Sequence, residues 1–191
     1  MDNKQKIILY LAKKGETFTL LDLSKSTNIP YASLHRTVAK MQDTTEIETK
    51  GKSKLIKIKW NEITKAYLTI ASYEEKQEFI KKYHIIKRIE EKSKNITLIF
   101  GSYAKETQNK TSDVDVMIIN KTGEKTVSFS DLVMLYDIKI NPMFFTEKEF
   151  IDVLKDKEEN VGKQAVKNHV LLSGYSDFWR LVENGIYKRK I

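Results

Sequence analysis

The chain contains no cysteine. That excludes disulfides, thiolate metal sites and a cysteine nucleophile. Proline occurs twice and glycine seven times in 191 residues, so element boundaries rest on few breaking signals. Long apolar runs are also missing. No segment approaches the roughly 18 apolar residues of a membrane span, and the apolar run 7–12 is too short for a signal peptide. The expectation is a cytoplasmic protein with no membrane association. Repeats and low-complexity tracts are absent too. What remains is 40% hydrophobic and 31% charged, ordinary for one or two folded domains.

Charge is unevenly spread. Residues 1–60 carry 12 Lys/Arg against 6 Asp/Glu, whereas residues 61–191 carry 22 against 20. A basic module on a near-neutral body points to a polyanionic partner for the module alone.

Within that module, 4–14 predicts a helix through Ile7, Ile8, Leu11 and Ala12, stopped by Gly15. Thr17 or Thr19 can cap a second helix to about Ser26, with Leu20, Leu21 and Leu23 inward. Pro30 suits the first turn of a third helix over 31–41. Its inner face is Leu34, Val38 and Met41; its outer face shows Ser33, Arg36, Thr37 and Lys40. "IETKGKSKLIKIKW" (47–60) alternates around a basic turn and predicts a β-hairpin. Three helices and a hairpin in sixty residues resemble a winged helix-turn-helix domain. The resemblance implies a DNA partner read by Ser33, Arg36, Thr37 and Lys40, with Lys50, Lys52 and Lys54 on the wing against phosphate. It also implies a homodimer, the form in which such domains often read palindromes. A winged helix used only for protein contacts or dimerisation is the competing expectation.

Residues 61–95 are rich in helix formers and predict one or two linking helices, with His84 at the surface or in the core. Strands are expected at 96–100, 112–119 and 138–145. Thr146 and Glu149 form a capping-box pattern at the start of a helix. The segment 161–185 predicts a helical tail broken at Ser173–Gly174, its aromatics packed as core. "YKRK" (187–190) is a basic end.

The stretch "FGSYAKETQNKTSDVDVMII" (100–119) carries the chemistry. On a strand, Asp113 and Asp115 share one face about 7 Å apart, while Val114 and Val116 face the other way. Two such carboxylates repel unless a cation lies between them, and hard oxygens suit Mg²⁺. Gly101 lets backbone approach an anion, and Ser102 with helix-start amides can hold phosphate. Metal beside a phosphate cradle is the minimum for nucleotidyl transfer.

Gly-Ser, ten intervening residues, then Asp-x-Asp resembles the DNA polymerase β-like nucleotidyltransferase superfamily, in particular its minimal prokaryotic members. The resemblance implies an NTP bound through Gly101, Ser102 and Lys105, and Mg²⁺ on Asp113 and Asp115, which would be the catalytic carboxylates. Glu106 stands where many members have glycine. The family's third carboxylate, which holds a second metal and activates the acceptor hydroxyl, corresponds to Asn141. Asp137 could replace it only through a change of register or a bulge. Small members sometimes pair with a helical HEPN-type protein as toxin–antitoxin systems.

The resulting expectation is an α+β chain in three parts: a winged helix-turn-helix at 1–60, a helical linker at 61–74, and a nucleotidyltransferase-like domain at 75–191 ending in a helical tail. Two functions follow from it. One is transfer of NMP from an NTP to a hydroxyl acceptor. The other is a DNA-binding transcriptional regulator or antitoxin whose nucleotidyltransferase domain is catalytically degenerate.

Overall fold

A computed structural model describes residues 1–51 and 53–187. Lys52 and residues 188–190 of the basic end lie outside the described residues. The chain forms two compact units, 1–71 and 72–191. Among the described residues, no helix is long and apolar enough to cross a membrane.

The first unit begins with α1 (Asn3–Lys14). Asp2 caps it by accepting from the Gln5 amide at 2.8 Å, and the Gln5 side chain accepts from the Asp2 amide at 2.6 Å. Gly15, at φ 69°, ends it in the left-handed region that costs an L-residue most. Ile7, Ile8, Leu11 and Ala12 are buried, as the helical spacing requires. A two-residue strand, β1 (Phe18–Thr19), then leads into α2 (Leu20–Thr27), capped by the Thr19 hydroxyl. Leu23 is fully buried, but Leu21 is 53% exposed, so only part of the expected inner face turns inward. The third helix, α3 (Tyr31–Ala39), ends two residues before the expected limit. Its last amides bond in a tighter pattern (Lys40 to Thr37, Met41 to Val38), yet Met41 remains buried. The hairpin is β2 (Thr45–Lys50) and β3 (Ser53–Ile58), pairing in the antiparallel sheet order β1-β3-β2. The two-residue β1 carries no periodic signal and was not legible.

Helix α4 (Glu62–Lys82) begins in the first unit and ends in the second. After it come α5 (His84–Lys92) and β4 (Ile96–Phe100). His84 is exposed. The short α6 (Gly101–Ala104) precedes β5 (Val114–Asn120), and α7 (Ser130–Tyr136) crosses over to β6 (Ile140–Thr146). Then come α8 (Glu147–Lys155), α9 (Val161–Lys167), β7 (Val170–Ser173) and α10 (Tyr175–Val182), closed by a π-helical turn at Glu183–Tyr187.

The helical reading of 161–185 is therefore corrected at Val170–Ser173, which is a strand paired with β4. "VLLS" is a four-residue apolar run, too short for periodicity to separate strand from helix. The sheet runs β6-β5-β4-β7, with β5 and β6 parallel and the other pairs antiparallel. On one face Val114, Val116, Ile118 and Ile99 pack with Phe79, Ile86, Ile89 and Leu132 from the end of α4, α5 and α7. On the other lie the aromatics of α8 and α10: Phe150 and Phe178 at 5.9 Å, Phe178 and Trp179 at 5.2 Å between ring centroids. Phe178 and Trp179 are fully buried, and the Trp179 indole donates to Ser72 Oγ at 3.0 Å. Thr146 and Glu149 form the expected capping box.

Candidate functional site

The sheet's strand directions bring the sequence motif together. β4 ends where the parallel pair β5 and β6 begins. In register, Asp115 lies between Phe100 of β4 and Asn141 of β6. Asp113 sits just before β5, on the same face as Asp115 by alternation. An Asx-type network holds the preceding loop. Asn109 Oδ1 accepts from the Thr111 amide at 2.9 Å, the Thr111 hydroxyl at 2.8 Å and the Ser112 hydroxyl at 3.2 Å. The Val114 amide donates to the Lys139 carbonyl at 2.8 Å, fixing Asp113 beside the start of β6.

Gly101 is demanded twice over. Its φ is +68°, and a Cβ built there would lie 2.1 Å from Asp115 Oδ2. The Asp115 carboxylate therefore occupies the space that the missing side chain leaves open. Ser102 follows at the first turn of α6 and is half-buried. Lys105 is exposed, one residue beyond α6, and no described contact ties it to either aspartate. Behind the turn, Tyr103 packs edge-on to Tyr83 at 5.6 Å; its burial, with Tyr83 beside it, pushes the phenol above its ordinary pKa.

Asn141 reaches both carboxylates. Its Nδ2 donates to Asp113 Oδ2 at 3.0 Å and to Asp115 Oδ1 at 3.4 Å. At the position that the resemblance matches to a third carboxylate, a neutral amide thus faces the two aspartates. Among the described residues no three His, Cys, Asp or Glu side chains are grouped to hold a metal. Asp137 stands at the end of α7 at φ 49°. It lines, with Asp113, Lys110 and Lys139, a cleft of about 310 Å³. No described hydrogen bond links it to Asp113 or Asp115.

The donor set fits one Mg²⁺. Two carboxylates on a common face supply hard oxygens, while the Asn141 amide presents its nitrogen to both. A second ion has no third carboxylate to hold it.

Glu106 has φ 55°, a left-handed backbone where glycine fits without cost. Its carboxylate pairs with Lys82 at 2.7 Å, an exposed contact. The departure from glycine is thus accommodated, with strain.

In the first unit, Arg36 on α3 and Lys40 just beyond it are exposed, and Ser33 and Thr37 are half-buried. All four line a cleft of about 400 Å³ with Lys4 and Met41. The Ser33 hydroxyl accepts from Asn3 Nδ2 at 3.0 Å, and the Thr37 hydroxyl donates to the Ser33 carbonyl at 2.9 Å. Both hydroxyls therefore already have intrachain partners, leaving Arg36 and Lys40 as the better placed of the four. Lys4, which the sequence reading did not single out, stands in the same cleft, bound to Asp43 at 3.1 Å. Its signal was hidden because it lies some thirty positions from the helix it joins. Lys50 and Lys54 are exposed on either side of the hairpin turn.

The family model described as polymerase beta, nucleotidyltransferase matches residues 83–177. That span holds Gly101, Ser102, Asp113, Asp115 and Asn141, and the match supports the superfamily for it. No curated protein and no solved structure matches the chain.

Proposed function

We propose that the protein is a DNA-binding regulator whose second unit binds a magnesium nucleoside triphosphate and lacks the base for efficient transfer. The observation that carries this reading is the Asn141 amide, which donates to both Asp113 and Asp115. A carboxylate there could take a proton from an acceptor hydroxyl; an amide cannot.

Gly101 and Ser102 would take the phosphates, with Lys105 swinging in from solvent. Asp113 and Asp115 would hold the ion, which when bound screens the triphosphate charge and bridges it to the protein. Asn141 keeps the two carboxylates at a fixed separation by bonding both. The first unit is read as a winged helix. Arg36 on α3 and Lys40 at its end, with Lys50 and Lys54 at the hairpin, would meet backbone phosphate, and the basic excess of 1–60 would supply the long-range attraction.

A second reading, active transfer, draws on Asp137, which lines the same cleft as Asp113. In that reading Asp137 serves as the base after a movement of α7.

One experiment separates them. The protein is incubated with each α-labelled NTP and Mg²⁺, with and without cell extract, beside Asp113→Ala/Asp115→Ala. Nucleotide binding is measured in parallel by calorimetry. Binding that needs both aspartates, without label transfer, supports the regulator. Transfer that Asp137→Asn abolishes supports the enzyme. Absence of nucleotide binding in a folded protein overturns both.

A further inference from the structure

One side chain outside the Gly-Ser turn and the aspartates touches both arms of the site. Tyr83 stands immediately before α5 with an extended backbone (φ −128°, ψ 94°). Its amide donates to the Phe79 carbonyl at 3.2 Å, and its carbonyl accepts from the Ile86 amide at 3.0 Å. Its ring lies 4.9 Å from that of Phe79, a core residue, and 5.6 Å from that of Tyr103, the residue after Ser102. Its hydroxyl accepts from Gln108 Nε2 at 2.6 Å. Gln108 Oε1 is buried and has no partner among the described residues, so the bond to Tyr83 is what ties this amide down.

Beyond Gln108 the loop is closed on itself. The Asn109 amide donates to Ser112 Oγ at 2.9 Å, and the Ser112 amide donates to the Asn109 carbonyl at 3.1 Å. Gln108 anchors this closed loop at one end; the Val114 amide on the Lys139 carbonyl anchors it at the other. Asp113 stands between the two anchors. Packing alone does not call for the Tyr83 hydroxyl. A phenylalanine would fill the same place between Phe79 and Tyr103 with no polar group to satisfy.

We propose that Tyr83 is a positioning residue of the nucleotide site, its ring holding the Gly-Ser turn through Tyr103 and its hydroxyl holding the Asp113 loop through Gln108. Its role is to set the separation between the group that takes phosphate and the carboxylate that takes the ion, which a ligand bridging them must match. This role rests on the nucleotide-binding reading of Ser102 and Asp113.

The test is hydrogen exchange of the full chain without ligand, followed by calorimetry with Mg²⁺ and each of the four NTPs. Tyr83→Phe removes the hydroxyl and keeps the ring. Losing one such bond should speed exchange of the Asn109, Thr111 and Ser112 amides by about tenfold, while the amides of β4 and β5 keep their wild-type rates. Nucleotide affinity should fall several-fold, with the melting temperature down by no more than about four degrees. Gln108→Met should do the same, and answers the same question should Tyr83→Phe fail to fold. The double variant should be no worse than the more affected single one, because both delete one bond. Lys82→Ala, which breaks the neighbouring exposed pair with Glu106, should change neither loop exchange nor affinity. Wild-type loop rates in both variants, exchange that rises equally in β4 and β5, or single effects that add in the double variant would each overturn the proposal. So would faster loop exchange with unchanged affinity, since Tyr83 would then hold a loop that the ligand does not feel. A wild type that binds no nucleotide would fail at an earlier and separate step, overturning the nucleotide reading and this role with it.

Discussion

The two units place their candidate contacts in opposite ways. In the first, Arg36, Lys40, Lys50 and Lys54 stand exposed on a helix and a hairpin whose core is elsewhere, in Leu23, Leu34, Val38 and Ile56. Removing them should leave the fold unchanged. In the second, the candidate site is made of backbone: Gly101 at the end of β4, Asp115 lodged in its missing side chain, Asn141 fixed by parallel register. There the site and the fold share the same atoms. The lesson is that a surface reader leaves only a weak pattern in the sequence, whereas a site built into strand ends leaves a motif.

Gly101→Ala tests this most severely. The new Cβ would meet Asp115 Oδ2 at 2.1 Å, and φ is +68°. The backbone penalty alone is about 1–2 kcal/mol, and the carboxylate must also move. The variant should melt several degrees lower and bind Mg-nucleotide at least tenfold more weakly. A melting temperature equal to wild type would break the contrast, because the site would then be separable from the fold.

The mirror experiment is Arg36→Ala/Lys40→Ala. Its melting temperature should stay within a degree or two. DNA affinity should fall by about tenfold, and the slope of log affinity against log salt should shrink by about two. Loss of thermal stability, measured by calorimetry, would show that α3 needs these side chains for packing.

The units also differ in how they treat a lysine. Lys4 pairs with Asp43 and lies 4.1 Å from the Tyr67 ring, partly in solvent. Lys76 is buried; it pairs with Glu90 and lies 4.9 Å from the Tyr73 ring. Burial works against the charge of Lys76, but hydrogen bonds to Glu90 and Tyr175 outweigh it and raise its pKa above the ordinary 10.5. A raised folded value means stabilisation that is complete below the unfolded value and lost as pH rises through the folded one. Wild type should therefore lose stability above about pH 10.5. Lys4 is raised in the same direction, again by bonds to Asp43 and Tyr67 that outweigh burial. Lys76→Met should remove more of the alkaline loss than Lys4→Met, because water screens the first unit's pair. Equal effects in denaturation from pH 8 to 12 would remove this distinction.

How far the sequence could be read follows the same division. The strands β4, β5 and β6 were legible as short apolar runs, while Asn141 was singled out only through the family resemblance. That the amide bonds both aspartates was not legible, since it depends on β5 and β6 being parallel neighbours. β7 was missed because four apolar residues between helices carry no period. α7 was missed because Met134 and Leu135 are 84% and 73% exposed, so its apolar pattern does not follow its buried face. In the first unit the helices were legible through Ile7, Ile8, Leu11, Leu34 and Val38, while Leu21 misled, being apolar and outward.

The smallest effect tests whether the second site tolerates departures from the family pattern. Glu106 holds φ 55° where glycine would be unstrained. Glu106→Gly would relieve about 1 kcal/mol of backbone strain and add freedom to the unfolded chain, two terms of opposite sign. It would also remove the ion pair with Lys82, an exposed contact of the kind that contributes little. The expected outcome is a melting temperature unchanged or raised by a degree or two, with nucleotide affinity unaltered. A clear drop in either would mean that the pair with Lys82 holds the turn after α6, and that this turn, like Gly101, belongs to the built part of the site.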